Sequence, residues 1–481
     1  MMLLSFGLCL LLFVAIGLLS SLRREQTGAD YLLASQSVKP WLVALSAIAT
    51  NNSGYMFIGM IGFTYTYGLS SIWLMVGWIA GDFLASLVVH QRLRESCGAN
   101  GEESFAGALA NWHGGNFQAL RVAGGVMTVV FLGTYAAAQL NAGSKALHVL
   151  FGWEYGVGAA IGAAIVLAYC VAGGIRASIW TDAAQSVVMI CAMSLMLWTA
   201  IEKIGGWSAF GPALDAVSPT YMDWFPPDLA YGGWFGPALF VTGWLFAGAA
   251  VIGQPHIMVR FMAMDDPDRM WRVRTYYYGW FTAFYALTIV VGLASRLLLP
   301  EVGTFDAELA LPTLAGQLLP PAATGLVLAG LFAATISTAD SQILSCTAAI
   351  TRDFPIPALR GYVATKLATV FVTTLALSIA LGRNESVFSL VLIAWSALAA
   401  AFGPLMIVYS LDKRPTQGLA LTMMAAGVAV VLMWRWLGWD ETVVYEVMPG
   451  MLSGLAVYWG GEALGFAESG REMGALEAEA D

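Results

Sequence analysis

The sequence predicts an all-α protein that crosses a lipid bilayer about thirteen times, and three features support this fold class. Only 11% of the 481 residues are Asp, Glu, Lys or Arg, whereas 59% are hydrophobic. A soluble domain carries about twice as much charge, because its surface faces water. The apolar residues are also grouped into runs of roughly 20, the length at which a helix crosses ~30 Å of hydrocarbon. These features together predict a polytopic membrane protein.

Thirteen apolar runs follow one another along the chain and define the predicted spans in order. They lie at 2–21, 41–62, 67–89, 119–147, 156–174, 181–203, 233–255, 276–297, 321–349, 362–381, 387–411, 417–436 and 444–464. The first run is interpreted as a retained helix rather than a signal peptide, because Arg23 and Arg24 follow it instead of preceding it. Since the number of runs is odd, the two ends of the chain are expected on opposite sides of the membrane.

The distribution of basic residues predicts which side each loop faces. With the N-terminus outside, seventeen of the 22 Lys and Arg residues fall at the inner ends of the spans, as the positive-inside bias requires. The other five are Lys145, Lys203, Arg296, Arg383 and Arg435. The long loops 204–232 and 298–320 contain no Lys or Arg and are predicted to lie outside. We therefore predict a bacterial inner-membrane protein with a periplasmic N-terminus and a cytoplasmic C-terminus.

Composition and motifs argue against several other classes of function. The net charge of −9 argues against a nucleic-acid partner. The five cysteines are scattered and the four histidines form no ligand spacing, so neither a disulfide framework nor a zinc site is predicted. The chain also lacks the phosphate-binding loops and hydrolase signatures of common enzymes. We expect no covalent chemistry and no organic cofactor.

Two of the predicted spans contain residues that interrupt a helix. The second span contains Ala49–Gly54, which reads Ala-Thr-Asn-Asn-Ser-Gly, and the seventh contains Gly253-Gln254-Pro255. Broken helices at corresponding positions of two halves mark the binding site of many secondary transporters. Glycines that only permit close helix packing are the alternative.

Because the two breaks lie five spans apart, we predict two inverted repeats of five helices each. The predicted units are a leading helix with a cytoplasmic linker, the first repeat, a periplasmic loop, the second repeat, two trailing helices and an acidic disordered tail. Their respective boundaries are 1–40, 41–203, 204–232, 233–411, 412–464 and 465–481.

The ninth span carries a polar cluster, Ser337-Thr338-Ala339-Asp340-Ser341, inside an otherwise apolar helix. Hydroxyl and carboxylate oxygens are the ligands that a hard cation such as Na⁺ prefers. Ser and Thr can instead bond to carbonyls of their own helix or join helices together. That alternative does not account for Asp340, because an unpaired charge inside a membrane is costly.

Two further carboxylates lie in predicted spans. Asp182 stands at the start of the sixth span, where it either caps a helix or binds an ion. Asp82 lies in the third span, and we interpret it as a structural partner of Arg92 or Arg94.

At these residues the chain resembles the sodium:solute symporter family, and most closely its bacterial sodium/proline branch. The matching stretches lie at Ala29–Leu33, Ser46–Gly54, Gly173–Gly174 with Trp180–Gln185, Gly253–Ile257 with Arg260–Ala263, Ser337–Asp353, and Ala394–Trp395 with Gly403–Pro404. The resemblance implies a LeuT-like five-plus-five inverted repeat with one leading and two trailing helices. That architecture agrees with the thirteen spans counted from the apolar runs.

The resemblance also implies a set of binding residues. The main Na⁺ ligands would be the carbonyls of Ala49, Asn52 and Ala334 and the hydroxyls of Ser337 and Thr338. A second Na⁺ would bind near Asp182, with ligands from Ser337, Asp340 and Ser341. The solute would lie near Asn51, Ser53, Gly54, Tyr135 and Pro255.

Three positions depart from the sodium/proline branch. Asn51 stands where that branch has Asp, and Ala247 and Val251 stand where it has aromatic residues. Smaller residues predict a larger pocket. The expected function is Na⁺-coupled import of a small organic solute across the bilayer, with an amino acid such as proline as the first candidate. The alternatives are a symporter for a monocarboxylate or a sugar, a non-transporting sensor on the same fold, and a membrane-embedded enzyme that uses Asp182 or Asp340.

Overall fold

The computed structural model describes residues 1–382 and 387–466. Its α-helices are α1 (Met2–Ser20), α2 (Gly28–Leu33), α3 (Pro40–Gly54), α4 (Ile61–Tyr67), α5 (Ile72–Asn100), α6 (Phe105–Ala110), α7 (Gln118–Phe151), α8 (Tyr155–Ile204), α9 (Trp207–Asp215), α10 (Phe235–Ala249), α11 (Pro255–Met262), α12 (Met270–Leu298), α13 (Ala310–Leu318), α14 (Pro321–Ala348), α15 (Tyr362–Gly382), α16 (Val387–Ser410), α17 (Gln417–Trp436), α18 (Trp439–Thr442) and α19 (Val447–Ala463). Within these residues, extended pairing is limited to one parallel bridge between Val38 and Met264.

The helices correspond to the predicted spans. Ten helical stretches in the described part of the chain are long and apolar enough to cross a membrane. Two of these stretches, Pro40–Asn100 and Tyr155–Ile204, each contain two predicted spans. The last predicted span corresponds to α19, which has 17 residues. All thirteen predicted runs are therefore helical, whereas the predicted tail lies outside the described residues from position 467 onward.

The first predicted break lies at the end of α3. Ser53 has φ +42° and ψ −179°, a backbone conformation that residues other than glycine rarely adopt. A π-helical turn, Tyr55–Met60, then joins the break to α4. Gly54 is required here because a Cβ atom would lie 2.8 Å from Cγ2 of Thr335 on α14. The break therefore lies directly against α14.

The second predicted break separates α10 from α11. A 3₁₀ turn, Ala250–Gly253, follows α10, and Gln254 is extended with φ −100° and ψ 100°. Helix α11 then begins at Pro255, whose missing N–H costs nothing at a first helical position. Both breaks predicted from the sequence are therefore present.

Helix α8 bends sharply at Gly174, which has φ +56°. A Cβ atom at this position would lie 2.3 Å from the carbonyl oxygen of Tyr31, so the bend also allows close contact with α2. The bend separates the two predicted spans 156–174 and 181–203. It also places Asp182 inside the second half of α8 rather than at a helix end, so the capping role considered for Asp182 is wrong.

Helix α14 lies at the centre of the molecule. It packs against α1, α3, α7 and α8, and every residue from Val327 to Ala348 is buried. Its polar residues consequently face protein rather than lipid. Polar groups at membrane depth can be retained under this condition, because neighbouring helices can satisfy them.

Helices α5 and α10 approach each other through glycine. A Cβ atom on Gly81 would lie 1.9 Å from the carbonyl oxygen of Leu245, and one on Gly248 would lie 2.0 Å from that of Trp78. A Cβ on Gly77 would lie 2.6 Å from Cβ of Trp244. The two backbones are thus in direct contact, as small residues permit at helix interfaces in membranes.

Candidate functional site

The predicted main Na⁺ residues meet where the first break lies against α14. The Ser337 hydroxyl donates to the carbonyls of Ala49 and Ala334, both at 3.1 Å. The Thr338 hydroxyl donates to the carbonyl of Thr50 at 2.8 Å and to that of Ala334 at 3.1 Å. These five residues are buried, so their oxygens form a compact cluster away from water.

The backbone carbonyls that contact Ser337 and Thr338 differ from the predicted set at Asn52 and Thr50. The Asn52 carbonyl accepts the backbone N–H of Tyr55. Within the described residues, Asn52 makes no hydrogen bond to Ser337 or Thr338, and both polar atoms of its buried side chain lack partners. The Thr50 carbonyl, which the sequence reasoning did not select, contacts Thr338 instead. Nothing in the sequence distinguishes one carbonyl of a broken helix from the next, because every residue carries one.

The predicted second Na⁺ residues also come together, but around a buried guanidinium. Nη2 of Arg260 lies 3.3 Å from Oδ2 of Asp182 and 3.6 Å from Oδ1 of Asp340, and all three side chains are fully buried. Arg260 also donates to Ser341. The pair of carboxylates therefore already holds a cation that belongs to the protein.

Hydroxyl groups complete this second cluster. Ser46 donates to Asp182 at 2.6 Å, and Ser178 donates to Asp340 at 2.8 Å. Ser341 donates to Asp340 at 3.0 Å, and Tyr169 donates to the other oxygen of the same carboxylate. With two carboxylates and one guanidinium, the cluster carries one net negative charge when all three groups are ionised.

The role of Arg260 was missed in the sequence reasoning. Arg260 was counted among the basic residues at the inner ends of spans, whereas its side chain is completely buried. Its position within Pro255–Met262, which continues directly from the predicted span 233–255, was an available signal, because a charge surrounded by apolar residues needs a partner. The positive-inside bias of the remaining basic residues does not depend on it.

The predicted solute residues surround both breaks. The backbone N–H of Gly54 donates to Oε1 of Gln139 on α7 at 2.8 Å. Tyr135, also on α7, lies within hydrogen-bonding reach of Ser53, and its ring centroid is 5.6 Å from that of His256. His256 follows Pro255 directly, so α7 connects the two breaks. The ring nitrogens of His256 and Nε2 of Gln139 are buried without partners in the described part of the chain.

Aromatic residues from other helices lie beside Ala247. The indole N–H of Trp395 donates to the Ala247 carbonyl at 3.1 Å. The Trp395 ring lies 4.9 Å from that of Trp78, which lies 5.7 Å from that of Tyr55. That the small residues Ala247 and Val251 enlarge the solute pocket stays a prediction.

Asp82 does not pair with Arg92 or Arg94. Arg92 forms an ion pair with Asp412 at 2.5 Å, and Nε of Arg94 donates to the carbonyl of Met264 at 2.6 Å. Asp82 instead accepts the hydroxyl of Tyr277 at 2.9 Å. The predicted pairing of Asp82 with Arg92 or Arg94 is therefore wrong.

Similar proteins of known structure establish the fold. A Na⁺-coupled sialic acid symporter superimposes with a TM-score of 0.80 at 18% identity, covering 97% of this chain and 98% of that one. Mhp1, a nucleobase-cation-symport-1 family transporter, superimposes with a TM-score of 0.55 at 14% identity, covering 90% and 95%. The predicted LeuT-like five-plus-five helical fold is confirmed.

Sequence comparison establishes the family. Residues 31–427 match the sodium:solute symporter family. The high-affinity proline transporter PutP of Bacillus subtilis is 29% identical over 444 residues, covering 90% of this chain and 92% of its own. A sodium/proline symporter of Staphylococcus aureus is 29% identical over 470 residues, covering 92% and 89%. These matches confirm a secondary transporter rather than an enzyme, with Na⁺ as its co-transported ion. The chain is an integral bacterial membrane protein that belongs to the sodium:solute symporter family.

Proposed function

We propose that this protein imports a small zwitterionic amino acid together with Na⁺, and that proline is the first candidate. The names of two relatives at 29% identity support the choice of proline. One structural observation carries the coupling. At one end of the stretch Ala49–Gly54, backbone carbonyls accept hydrogen bonds from Ser337 and Thr338. At its other end lie proposed solute residues, of which Gly54 donates its backbone N–H to Gln139.

The proposed main site holds Na⁺ among the carbonyls of Ala49, Asn52 and Ala334 and the hydroxyls of Ser337 and Thr338, with Thr50 as an additional carbonyl. Na⁺ binding requires the two hydroxyls to turn their hydrogens away from the carbonyls that they now contact. The ion then joins α14 to the broken end of α3. Because Ser53 and Gly54 directly follow the ligating carbonyls, fixing the ion fixes the backbone next to the solute.

The proposed coupling is energetically sufficient for uptake. With about 100 mV inside negative and a tenfold Na⁺ gradient, one Na⁺ supplies about 3.7 kcal/mol. This free energy supports a roughly 500-fold accumulation of a neutral solute. One Na⁺ per cycle therefore suffices for concentrative import.

The second cation position is proposed at Asp182, Asp340 and Ser341, with Ser337 nearby. The Arg260 guanidinium now interacts with both carboxylates. A second Na⁺ would bind here with Arg260 displaced, since both cations would use the same carboxylate oxygens. While Arg260 is in place, the cycle carries Na⁺ only at the main site.

The proposed orientation has the N-terminus and the loops 204–232 and 298–320 in the periplasm and the C-terminus in the cytoplasm. The positive-inside bias supports it. In this orientation Na⁺ and solute enter from the side on which these loops lie.

The test is uptake by purified protein in proteoliposomes. Radiolabelled L-proline should accumulate with an inward Na⁺ gradient and not with K⁺ in its place. Unlabelled amino acids, monocarboxylates and sugars are then added as competitors. If only a monocarboxylate or sugar supports Na⁺-dependent uptake, the proline assignment is wrong and symport stands. If no solute is taken up, a sensor on the same fold is the better explanation.

A further inference from the structure

The Asp82 carboxylate is connected to the first break by a short hydrogen-bond relay. Nδ2 of Asn51 donates to the Tyr277 hydroxyl at 2.6 Å, and this hydroxyl donates to Oδ2 of Asp82 at 2.9 Å. The three residues belong to α3, α12 and α5, and all are buried. Asn51 lies between Thr50 and Asn52, so the relay reaches the same backbone that forms the proposed Na⁺ site.

Asp82 is fully buried and lacks a cationic partner. Its Oδ1 atom has no hydrogen-bond partner in the described part of the chain, and neither does Oδ1 of Asn51. A charged carboxylate in this setting is costly, because neither water nor a counter-ion compensates the lost hydration. Oδ1 is therefore poised to take a cation.

Two arginines on helices packed against α5 are held by partners other than Asp82. Arg274 on α12 donates to the carbonyl of Ser86 at 2.7 Å, one turn from Asp82, and Arg260 on α11 contacts Asp182 and Asp340. Helix α10 contains no titratable residue. The titratable groups other than arginine on the elements packed against α5 are Tyr276, Tyr277, Tyr278 and Tyr285 of α12, His256 of α11, Tyr409 of α16 and Asp268 of the turn Pro267–Arg269, and α5 itself also carries His90, Glu95 and Cys97.

We propose that Asp82 binds a proton, and that its protonation weakens Na⁺ binding through Tyr277 and Asn51. The ligand set favours a proton over a second Na⁺. Besides the carboxylate itself, the hydroxyls of Tyr277 and Tyr278 are the oxygens within hydrogen-bonding reach among the described residues, whereas a hard metal cation needs several more. A proton needs only one lone pair, which Oδ1 supplies.

The direction of the effect follows from charge. Ionised Asp82 strengthens the hydrogen bond from Tyr277, because a charged acceptor makes a stronger bond than a neutral one. It thereby holds the Asn51 side chain, and its negative charge favours Na⁺ at the neighbouring site. Protonation removes the charge and loosens the relay. Na⁺ affinity should therefore be higher at alkaline pH and lower at acid pH.

The inference rests on the proposed main Na⁺ site, and ²²Na⁺ binding to purified protein tests both without requiring a known solute. Half-saturation is measured at about pH 5.5 and about pH 8.5, which bracket the titration of many buried carboxyls. Wild type should need roughly fivefold or more Na⁺ at the acid pH, the low end of ordinary coupling between two sites. D82N should bind weakly at both pH values, close to acid wild type.

D353N is the matched control, because Asp353 is also buried but lies at the end of the π-helical turn Ala349–Asp353 that follows α14, where it accepts the Ser104 hydroxyl. It should keep the wild-type pH dependence. Y277F interrupts the relay while retaining the carboxylate, so its pH dependence should shrink. If thermal melting shows that D82N does not fold, the pH dependence of Na⁺ binding in Y277F is the test instead.

The outcomes separate the two proposals. Absence of saturable ²²Na⁺ binding to folded wild type overturns the Na⁺ site and, with it, this inference. Saturable binding that does not change with pH, or full pH dependence in D82N, overturns the role of Asp82 alone. A smaller number of Na⁺ bound at saturation in D82N shows that Asp82 ligates Na⁺ rather than a proton, which also overturns it.

Discussion

Nη2 of Arg260 lies 3.3 Å from Oδ2 of Asp182 deep inside the helix bundle, and neither side chain is exposed. Removing one partner of a buried ion pair leaves an uncompensated charge and typically costs about 3–5 kcal/mol. Here the second carboxylate, Asp340, lies 3.6 Å from the same nitrogen. Arg260 therefore balances two acidic groups, and the balance determines how many further cations the cluster takes.

Replacing Arg260 should change the stoichiometry of transport. In R260Q the two carboxylates lose their resident cation, so Na⁺ should take its place and the number of Na⁺ carried per solute should rise by one. The measurement is the ratio of ²²Na⁺ to radiolabelled solute entering proteoliposomes. The double variant R260Q/D340N removes one charge of each sign, so it should return to the wild-type ratio. An unchanged ratio in folded R260Q contradicts the second cation position.

Asp340→Asn alone should alter the cation dependence in the opposite direction. It leaves Arg260 paired with Asp182 and makes the cluster neutral, so Na⁺ at the main site loses the attraction of a nearby net negative charge. We expect a weaker apparent affinity for Na⁺ with uptake retained at high Na⁺. Initial uptake rates against Na⁺ concentration, normalised to folded protein, check this. A wild-type Na⁺ curve in D340N indicates that the carboxylate serves packing alone.

Thr338→Ala should abolish or greatly weaken the stimulation of uptake by Na⁺. The hydroxyl of Thr338 is one of two side-chain oxygens at the proposed main site. Removing it leaves buried polar groups without a partner, which typically costs about 1–3 kcal/mol of binding free energy. This corresponds to a loss of roughly tenfold or more in Na⁺ affinity. T373A is the control, because Thr373 is buried on α15 and, among the described residues, its hydroxyl bonds to the carbonyl of Thr369 on its own helix. An unchanged Na⁺ curve in T338A contradicts Na⁺ binding at the proposed main site.

The orientation is tested by labelling single cysteines with an impermeant maleimide from outside intact cells. Cys191 is exposed and must first be replaced. Cysteine at position 208, in the loop 204–232, should then label, and cysteine at position 469 should label only after the cells are opened. The reverse pattern contradicts the proposed topology.

Gly81→Ala should destabilise the protein strongly. The added Cβ would meet the carbonyl oxygen of Leu245 at 1.9 Å, and a backbone atom cannot yield as a flexible side chain can. Overpacking costs typically 1–3 kcal/mol and sometimes more, and we expect the upper end. Gly133→Ala is the control, because nothing lies within 4 Å of its Cβ position. Equal melting temperatures for G81A and G133A would show that α5 and α10 separate easily.

Sequence reasoning recovered those features that depend on local composition. The spans followed from the length of apolar runs, and the two breaks followed from polar residues, glycine and proline within them. Hydrogen-bond and ion-pair partners on different helices could not be predicted from local composition. Asp82 contacts Tyr277, 195 positions away, rather than the arginines about three turns along its own helix. A sequence shows that such a carboxylate needs a partner, but the fold decides which one it meets.

The backbone contact between α5 and α10 has a mechanical consequence. Helix α5 carries Asp82 and leads through Tyr277 to the first break, whereas α10 ends in the 3₁₀ turn of the second break. Because Gly81 and Gly248 leave no side chain between the two backbones, movement of one helix toward the other is blocked at both points. The helix pair α5 and α10 therefore connects the two breaks. When this pair tilts, the proposed solute residues at both breaks should move together.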